Sequence, residues 1–322
     1  MTNKQRYEKL CNERPDIPLF MQAWWLDAVC TPEGKEWDVF LYEENGKIIG
    51  AMPYHLLKKW GFKVIDRTQF TQHHGLWIDY PKEMKLHKRY SFEKRVMDSL
   101  IDQLEALKVS FYSQNFHSSF TNWQPFYWQN FKQTTRYSYV LKNIENTENI
   151  FDNIHPRYKQ KIRKCENELT VDFNLSPKEF YNFHKNSLTE KNDEILYSKE
   201  LFLSLCQAAI ERKQGAIIAV RDKNNDLLSA VIFVWDENCG YNLNTARKIT
   251  DGSNDASVYM IFQVIKYLKN KTKNYDFEGS MIEGVAKRNQ YFGAEQVPYF
   301  NISKNYSKLF SVLKYVKDTF VR

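Results

Sequence analysis

The sequence predicts an α/β (α+β) protein of two tandem domains, each with a mixed central sheet flanked by helices. Three observations lead to this prediction. The chain has 322 residues, about twice the usual size of one domain. Apolar residues recur at helical spacing in some segments and form extended runs around turns in others. The order of these segments in the first half returns in the second half, which indicates a duplicated architecture.

The first half begins with a short amphipathic helix and a β-hairpin. Apolar residues recur at helical spacing within Leu19–Thr31. Two extended runs, Asp38–Glu43 and Lys47–Tyr54, flank an Asn-Gly turn, which is typical of a hairpin. Apolar residues three and four positions apart predict a helix over Tyr90–Leu107. Strands are predicted to follow at Val109–Ser113 and Thr135–Val140.

The second half repeats the order of helices, hairpin, helix and strand. The polar, Asn-rich segment Lys142–Asn153 is the predicted join, so the predicted domains are residues 1–145 and 146–322. The predicted elements are helices at Phe180–Leu188 and Lys199–Arg212, a hairpin of Gly215–Arg221 and Leu227–Asp236, an extended run at Gly240–Thr245, a helix at Ala256–Asn270, and strands at Asn274–Glu278 and Val297–Ile302.

Composition and charge narrow the class of protein. The formal charge of +7 favours anionic partners such as nucleotides, phosphates or RNA. The longest apolar stretches have the length of strands, so no membrane span is predicted. The N-terminus is charged and lacks the pattern of a secretory signal, and the cysteines include no CxxC pair; we therefore expect a cytoplasmic protein with free thiols. His73 and His74 are predicted to serve packing or loop hydrogen bonding rather than to act as metal ligands or a base, and no metal site is expected.

A dense basic run opens the second half. Arg157–Lys164 holds five cations, a density that suits a phosphate-rich ligand because guanidinium groups grip two phosphate oxygens at once. The alternative is a solvated helix face balanced by Glu166 and Glu168.

A second candidate site follows the predicted strand Asn274–Glu278. Asp276 and Glu278 would share one face of that strand, because side chains alternate. Carboxylates there can accept a proton from an ammonium nucleophile or orient it. Gly279 would let a substrate backbone approach closely, and Ser280 is predicted to bind substrate beside it. The alternative is that the carboxylates pair with the basic run or cap the next helix.

Four stretches resemble the FemABX-like branch of the GNAT acyltransferase superfamily, which is related to the peptidoglycan aminoacyltransferases. They are Ile17–Cys30, Trp123–Tyr139, Arg157–Cys165 and Tyr275–Phe300. The best known members of that branch add amino acids to peptidoglycan precursors from aminoacyl-tRNA. The resemblance runs over most of the chain and implies two tandem GNAT-like domains, with the probable donor site in the C-terminal one.

The resemblance also implies roles for particular residues. The equivalent basic stretch borders the donor site, which favours Lys161, Arg163 and Lys164 as donor-binding. A lysine late in the second domain would stabilise the oxyanion of the tetrahedral intermediate, and Lys304 is the candidate. Trp24 and Tyr127 lie in the matched stretches and are predicted to bind substrate, with core packing of such aromatic clusters as the alternative.

The sequence does not decide which molecule donates the acyl or aminoacyl group. GNAT enzymes that use acetyl-CoA carry a Q/R-x-x-G-x-G/A loop for the pyrophosphate, and the corresponding segment Thr245–Ser257 has Gly252 but no second glycine. This favours aminoacyl-tRNA over acetyl-CoA. However, the helical hairpin that several peptidoglycan transferases use for tRNA has no counterpart here. No cofactor is predicted beyond acyl-CoA or aminoacyl-tRNA as co-substrate.

The predicted function is therefore transfer of an acyl or aminoacyl group onto an amine, with Glu278, Asp276 and Lys304 as catalytic residues. The expected acceptor is a cell-wall precursor or a nucleotide-linked amino sugar, whose phosphates would match the basic surface. One alternative is an acyl-CoA-dependent N-acyltransferase of an amino sugar or amino acid. Another is a non-catalytic double domain that binds nucleotides or RNA. A homodimer is also considered.

Overall fold

A computed structural model describes residues 1–250, 253–279 and 281–320 of the chain. The chain divides into two compact units, one of Met1–Arg136 with Pro298–Arg322 and the other of Tyr137–Val297. This grouping differs from the predicted division into 1–145 and 146–322, because the C-terminal segment joins the first unit. The physical reason is strand pairing: Asn301–Asn305 pairs antiparallel with Phe111–Asn115.

The strands vary from two to thirteen residues in length. In chain order they are β1 (Trp37–Glu44), β2 (Lys47–Lys59), β3 (Phe62–Ile65), β4 (Trp77–Ile78), β5 (Phe111–Asn115), β6 (Lys132–Leu141), β7 (Thr170–Asp172), β8 (Gly215–Arg221), β9 (Leu227–Trp235), β10 (Cys239–Arg247), β11 (Asn274–Asp276) and β12 (Glu295–Asn305).

The helices lie between these strands and at both ends of the chain. Across the described ranges, none combines the length and apolar character needed to cross a membrane. In chain order they are α1 (Asn3–Glu13), α2 (Ala23–Cys30), α3 (Leu86–Ala106), α4 (Gln124–Trp128), α5 (Thr147–Asn153), α6 (Pro156–Glu168), α7 (Pro177–Thr189), α8 (Lys199–Glu211), α9 (Ser253–Leu268), α10 (Glu283–Tyr291) and α11 (Lys308–Phe320).

In the first unit the sheet order is β1, β2, β3, β5 and β12, with β4 paired to β2. β3 and β5 are parallel and the other neighbours are antiparallel. The crossover between the parallel strands contains α3, the helix predicted over Tyr90–Leu107. Its apolar stripe, which includes Phe92, Val96 and Leu100, is buried in the core of this unit.

The second unit has the sheet order β6, β11, β10, β9, β8 and β7. Here β10 and β11 are parallel, and α9 lies in the crossover between them. α9 packs against α6 and against β8, β9 and β10, while α7 packs on β10 and α8 on β8. Each unit thus has a mixed sheet with one parallel pair bridged by a helix, as the predicted fold class requires.

The strand β10 creates an opening in the second unit. It pairs with β11 only over Cys239–Tyr241 and then continues to Arg247, whereas β11 ends at Asp276. Its pairing with β9 is also interrupted between Asn242 and Asn244. A bulge of this kind bends a strand and increases its twist. Among the described residues, the end of β10 therefore has no strand partner on the β11 side, and the chain continues from there toward α9.

The paired histidines are buried in the first unit. Only 5% of His73 and 3% of His74 are exposed. The His74 amide donates to the Asn115 carbonyl at 2.9 Å, and the His73 ring lies edge-on to the Phe20 ring. Burial lowers the pKa of both imidazoles, to about 3 for His74. These contacts agree with the packing role predicted for the pair.

Candidate functional site

A basic cavity of about 490 Å³ lies in the second unit where β10 ends and α9 begins. Its described lining contains four cations and no carboxylate. The cations are Lys191, Arg247, Lys287 and Arg288. Polar groups that can donate hydrogen bonds to an anion complete the wall, namely Tyr158, Thr245, Asn254, Ser257 and Tyr291.

The end of β10 and the first turns of α9 form one side of this cavity. Arg247 is the last residue of β10, and the Ser187 hydroxyl donates to its carbonyl at 2.6 Å. The Arg247 Nη1 donates to Asn254 Oδ1 at 3.4 Å. Asn254 and Ser257 lie close to the start of α9, where the positive end of the helix dipole favours an anion.

Two more of the four cations, Lys287 and Arg288, are neighbours in helix α10. Arg288 is half-buried, and burial lowers the pKa of its guanidinium. Among the described residues, no carboxylate forms an ion pair with any of the four cations in the wall. An uncompensated cluster of this kind carries a positive potential that attracts phosphate.

Asp276 ends β11 and fixes the turn that follows it. Its side chain is 8% exposed. Oδ1 accepts a hydrogen bond from the Ser138 hydroxyl and a second, of 2.7 Å, from the Glu278 backbone amide. A carboxylate that holds a neighbouring strand and a turn together in this way is suited to positioning Glu278.

Glu278 has an unusual backbone conformation and lies near the buried Asp276 carboxylate. Its φ is +52°, in the left-handed region that non-glycine residues seldom adopt. Part of the residue reaches solvent, but Oε1 is buried and has no hydrogen-bond partner among the described residues. Burial, and then the nearby Asp276 carboxylate, raise the pKa of Glu278 well above its usual range.

The strand alternation predicted for Asp276 and Glu278 is wrong in one respect. β11 stops at Asp276, and the left-handed turn at Glu278 ends the alternation of faces. The two carboxyl groups are nevertheless close, since Asp276 affects the pKa of Glu278.

Tyr275 lies near both Glu278 and Arg288, and Arg288 is a cation of the cavity wall. The Tyr275 hydroxyl is buried without a described hydrogen-bond partner. Both the Arg288 guanidinium and the Glu278 carboxyl are close enough to shift the pKa of this hydroxyl. Tyr275 and Glu278 thus each carry a buried polar atom with no described partner. Buried groups of this kind cost about 1–3 kcal/mol each and often mark a place where a ligand or water binds.

The packing of the backbone requires a glycine at position 279. A Cβ atom on this residue would lie 1.9 Å from the Tyr137 carbonyl oxygen and 2.6 Å from the Ser138 Cα. The close approach that the sequence suggested for a substrate backbone is therefore made by β6, which corrects the predicted reason for this glycine. Ser280, predicted beside it, lies outside the described residues.

The predicted donor-binding cations do not line the basic cavity. Lys161 pairs with Asp255 at 2.6 Å, and Lys164 lies 3.8 Å from the same carboxylate. The Arg163 guanidinium lies over the Phe151 ring, 5.5 Å from its centroid. Arg163 also lines a separate cavity of about 540 Å³. Asp255 thus offsets one of the five positive charges of the basic run, and the role of the run in donor binding stays a prediction.

Three further predicted residues lie in the first unit. Lys304 was expected in the second domain, but it lies on β12 and pairs with a strand of the first unit. Its Nζ donates to Glu105 Oε1 at 2.6 Å and to the Gln129 carbonyl at 2.9 Å, so its charge is already compensated. Trp24 is half-buried in α2, and Tyr127 is 61% exposed in α4. Their roles in substrate binding stay predictions.

The four cations of the cavity were absent from the predicted site. A signal for them existed in the sequence. The segment Thr245–Ser257 was considered for its glycines, yet the cavity uses its side chains, including Arg247. The adjacent pair Lys287 and Arg288 falls inside the matched stretch Tyr275–Phe300.

Solved structures of other proteins have a similar fold. A scan against models of protein families and a search of curated proteins each found no match. Among solved structures, FemX superposes with a TM-score of 0.70 and 12% sequence identity, over 93% of this chain and 96% of FemX. The chain has a FemX-like fold.

Other solved structures share this fold. A tandem GNAT protein from the clavulanic acid biosynthesis pathway has a TM-score of 0.56 and 8% identity, over 95% of this chain and 97% of that one. L-PGS from Bacillus licheniformis has a TM-score of 0.56 and 10% identity, over 92% of each chain. At these identities the likeness concerns the fold, and it confirms the predicted fold class.

Replacing Gly279 by alanine should destabilise the protein by about 3 kcal/mol or more, because the added methyl group overlaps a backbone carbonyl that cannot move without shifting β6. Urea unfolding measures the loss. The matched control is Gly284→Ala, since a Cβ on Gly284 meets nothing within 4 Å and alanine gains up to about 1 kcal/mol within a helix. Equal stabilities of the two variants would contradict the close approach at Gly279.

Proposed function

We propose that this protein transfers an acyl or aminoacyl group from a phosphate-bearing donor to an amine. The observation that carries the proposal is the basic cavity at the start of α9, whose described wall holds four cations and no carboxylate. One of these cations, Arg288, lies near Tyr275, and Tyr275 lies near Glu278, a carboxyl whose pKa burial raises. The FemX-like, GNAT-related fold supports the same class of reaction by analogy. Fold and site together favour a transferase over a non-catalytic binding protein.

The donor binds through its phosphates in the basic cavity. Arg247 and Arg288 can each hold two phosphate oxygens, while Lys287 and Lys191 act as point charges. The first turn of α9 adds the positive end of its dipole. CoA carries a pyrophosphate and tRNA a phosphate backbone, so the cavity chemistry suits both donor classes predicted from the sequence.

The reaction is direct attack of the acceptor amine on the activated carbonyl carbon. A C–N bond forms and the C–S bond of a thioester, or the C–O bond of an aminoacyl ester, breaks. An ammonium group bound beside Glu278 would supply the positive partner that this carboxyl lacks and would favour its ionised form. The carboxylate then accepts one proton from the ammonium and afterwards releases it to solvent. The leaving thiolate or alkoxide takes up the second proton, which the attacking nitrogen loses as the amide forms. Asp276 positions Glu278 through its bond to the Glu278 amide.

The acceptor is an amine that also carries phosphate. A cell-wall precursor or a nucleotide-linked amino sugar meets both conditions, and the formal charge of +7 favours such an anion. Either acceptor would place its amine at Glu278 and leave the basic cavity for the donor.

Charge removal in the cavity should weaken donor binding. Arg247→Gln and Lys287→Gln should each reduce affinity about tenfold, because each removes a charge-assisted hydrogen bond to phosphate. Isothermal titration with acetyl-CoA and, separately, with an aminoacyl-tRNA measures the effect and shows which donor binds. Lys223→Gln is the control, since this lysine lies in an exposed turn outside the cavity wall. Unchanged affinity in both cavity variants would contradict the placement of the donor.

Glu278→Gln should lower kcat/KM about 10²–10⁴-fold, because the amide cannot accept the proton. The melting temperature should stay near that of the native protein, because the amide has nearly the same shape as the carboxyl. The raised pKa of Glu278 adds a second test. Activity of the native protein should fall as pH drops through this pKa, since the reactive form is the carboxylate. A pH series of kcat/KM should show this acidic limb, and the variant should lack it.

The control for that experiment is Glu283→Gln, which changes an exposed carboxylate in the first turn of α10. It should leave both the rate and the pH profile unchanged. Full activity of the Glu278→Gln variant would remove Glu278 from the mechanism.

A further inference from the structure

The last helix of the first unit turns an apolar side toward solvent. α11 is anchored by Phe310, which is 1% exposed and packs its ring against the rings of Phe62 and Phe111. Four aliphatic residues among the described side chains of the helix are not covered. Leu309 is 61% exposed, Val312 58%, Leu313 38% and Val316 47%.

These four exposed residues form one continuous stripe. Their spacing of three and four positions places them on a single face of a helix with 3.6 residues per turn. Amphipathic helices of globular proteins normally bury such a stripe in the core. Here the anchoring residue Phe310 lies on another side of the helix. By helical periodicity Lys308 and Lys317, both exposed, flank the stripe on its two sides.

The tip of the β2–β3 hairpin continues the apolar surface. Trp60 is 44% exposed, and its ring contacts the Phe310 ring while the Lys317 ammonium lies over it, 6.0 Å from the centroid. The tip therefore lies alongside α11. Lys58 and Lys63 flank it and are exposed.

Trp60 also has a backbone conformation that a tryptophan seldom adopts. Its φ is +52° and that of Gly61 is +81°, the pattern of a tight hairpin turn usually occupied by asparagine and glycine. A large aromatic residue at this position is strained and only partly buried. Its presence points to a contact made outside the unit.

We propose that this surface, formed by the stripe of α11 and the hairpin tip, binds the surface of an anionic phospholipid bilayer. Helices with an apolar face bordered by lysines lie in the headgroup region with the apolar face toward the acyl chains. Tryptophan prefers the same interfacial depth. The flanking lysines would meet the negative charge of the lipid headgroups.

The charge of the surface favours a bilayer over a second copy of the chain. None of the described side chains named for this surface is a carboxylate, and its border is made of Lys58, Lys63, Lys308 and Lys317. A symmetric dimer through the same patch would bring identical basic borders together, which is unfavourable. An anionic bilayer offers both the apolar interior and the opposite charge.

This inference is independent of the proposed transferase reaction, because it rests on residues of the first unit alone. The experiment uses the full chain and vesicle co-sedimentation. Native protein should bind vesicles of phosphatidylcholine with roughly 30% phosphatidylglycerol and bind pure phosphatidylcholine vesicles at least about tenfold more weakly. The double variant Lys308→Gln/Lys317→Gln should weaken binding to anionic vesicles roughly 30-fold, because each lysine near the surface contributes about fivefold.

The apolar stripe is tested by Leu309→Gln/Val312→Gln, which should reduce vesicle binding about tenfold or more. The matched control is Leu86→Gln/Ile210→Gln, two exposed apolar residues on other helices, 61% and 40% exposed. The control should bind vesicles as the native protein does, and melting temperatures should show that all variants are folded.

Two results would overturn the proposal. One is binding to anionic vesicles no stronger than to neutral ones. The other is a concentration-dependent dimer in analytical ultracentrifugation that Leu309→Gln/Val312→Gln abolishes, which would assign the surface to a second copy of the chain.

Discussion

The site of the second unit depends on one close backbone approach, that of Gly279 to β6. Because no side-chain atom fits between Gly279 and the Tyr137 carbonyl, the chain must leave β11 along the neighbouring strand. The hydrogen bonds of Asp276 to the Ser138 hydroxyl and the Glu278 amide secure the same turn. Glu278 is thereby held in a left-handed conformation with one carboxyl oxygen sealed from solvent. The strain at Glu278 and the burial of its carboxyl follow from this turn.

The distribution of paired and unpaired cations distinguishes two basic regions of the second unit. Asp255, in the first turn of α9, pairs with Lys161 and lies near Lys164, so the two lysines predicted to bind the donor share a carboxylate. Arg247 and Lys287 face a cavity with no described carboxylate in its wall. A phosphate gains most from cations that no other anion has satisfied. For this reason a donor is better placed at the cavity than at the run, even though the run is denser in the sequence.

The fold was largely predictable, and the site only in part. Helical periodicity located α3 and α9, and turn signals located the hairpins, because these are local properties of the chain. The return of the C-terminal strand to the first unit depends on pairing between Asn301–Asn305 and Phe111–Asn115, which no local pattern reveals. Glu278 was predicted from its residue type and its place after a strand, and its catalytic role stays a prediction. Arg247 was not predicted, because the acetyl-CoA loop is recognised by its glycines, whereas the cavity wall uses side chains.

The most direct test of the donor's position is hydrogen–deuterium exchange of the full chain with and without saturating donor, using acetyl-CoA and an aminoacyl-tRNA in separate experiments. The proposed placement predicts slower exchange in peptides that cover Thr245–Thr250 and Glu283–Tyr291, since these segments line the basic cavity. The peptide Thr147–Asn153, beside the separate cavity lined by Arg163, should be unaffected. Slower exchange confined to Thr147–Asn153 and the basic run Arg157–Lys164 would contradict this placement. It would indicate that the donor binds at the cations predicted from the sequence.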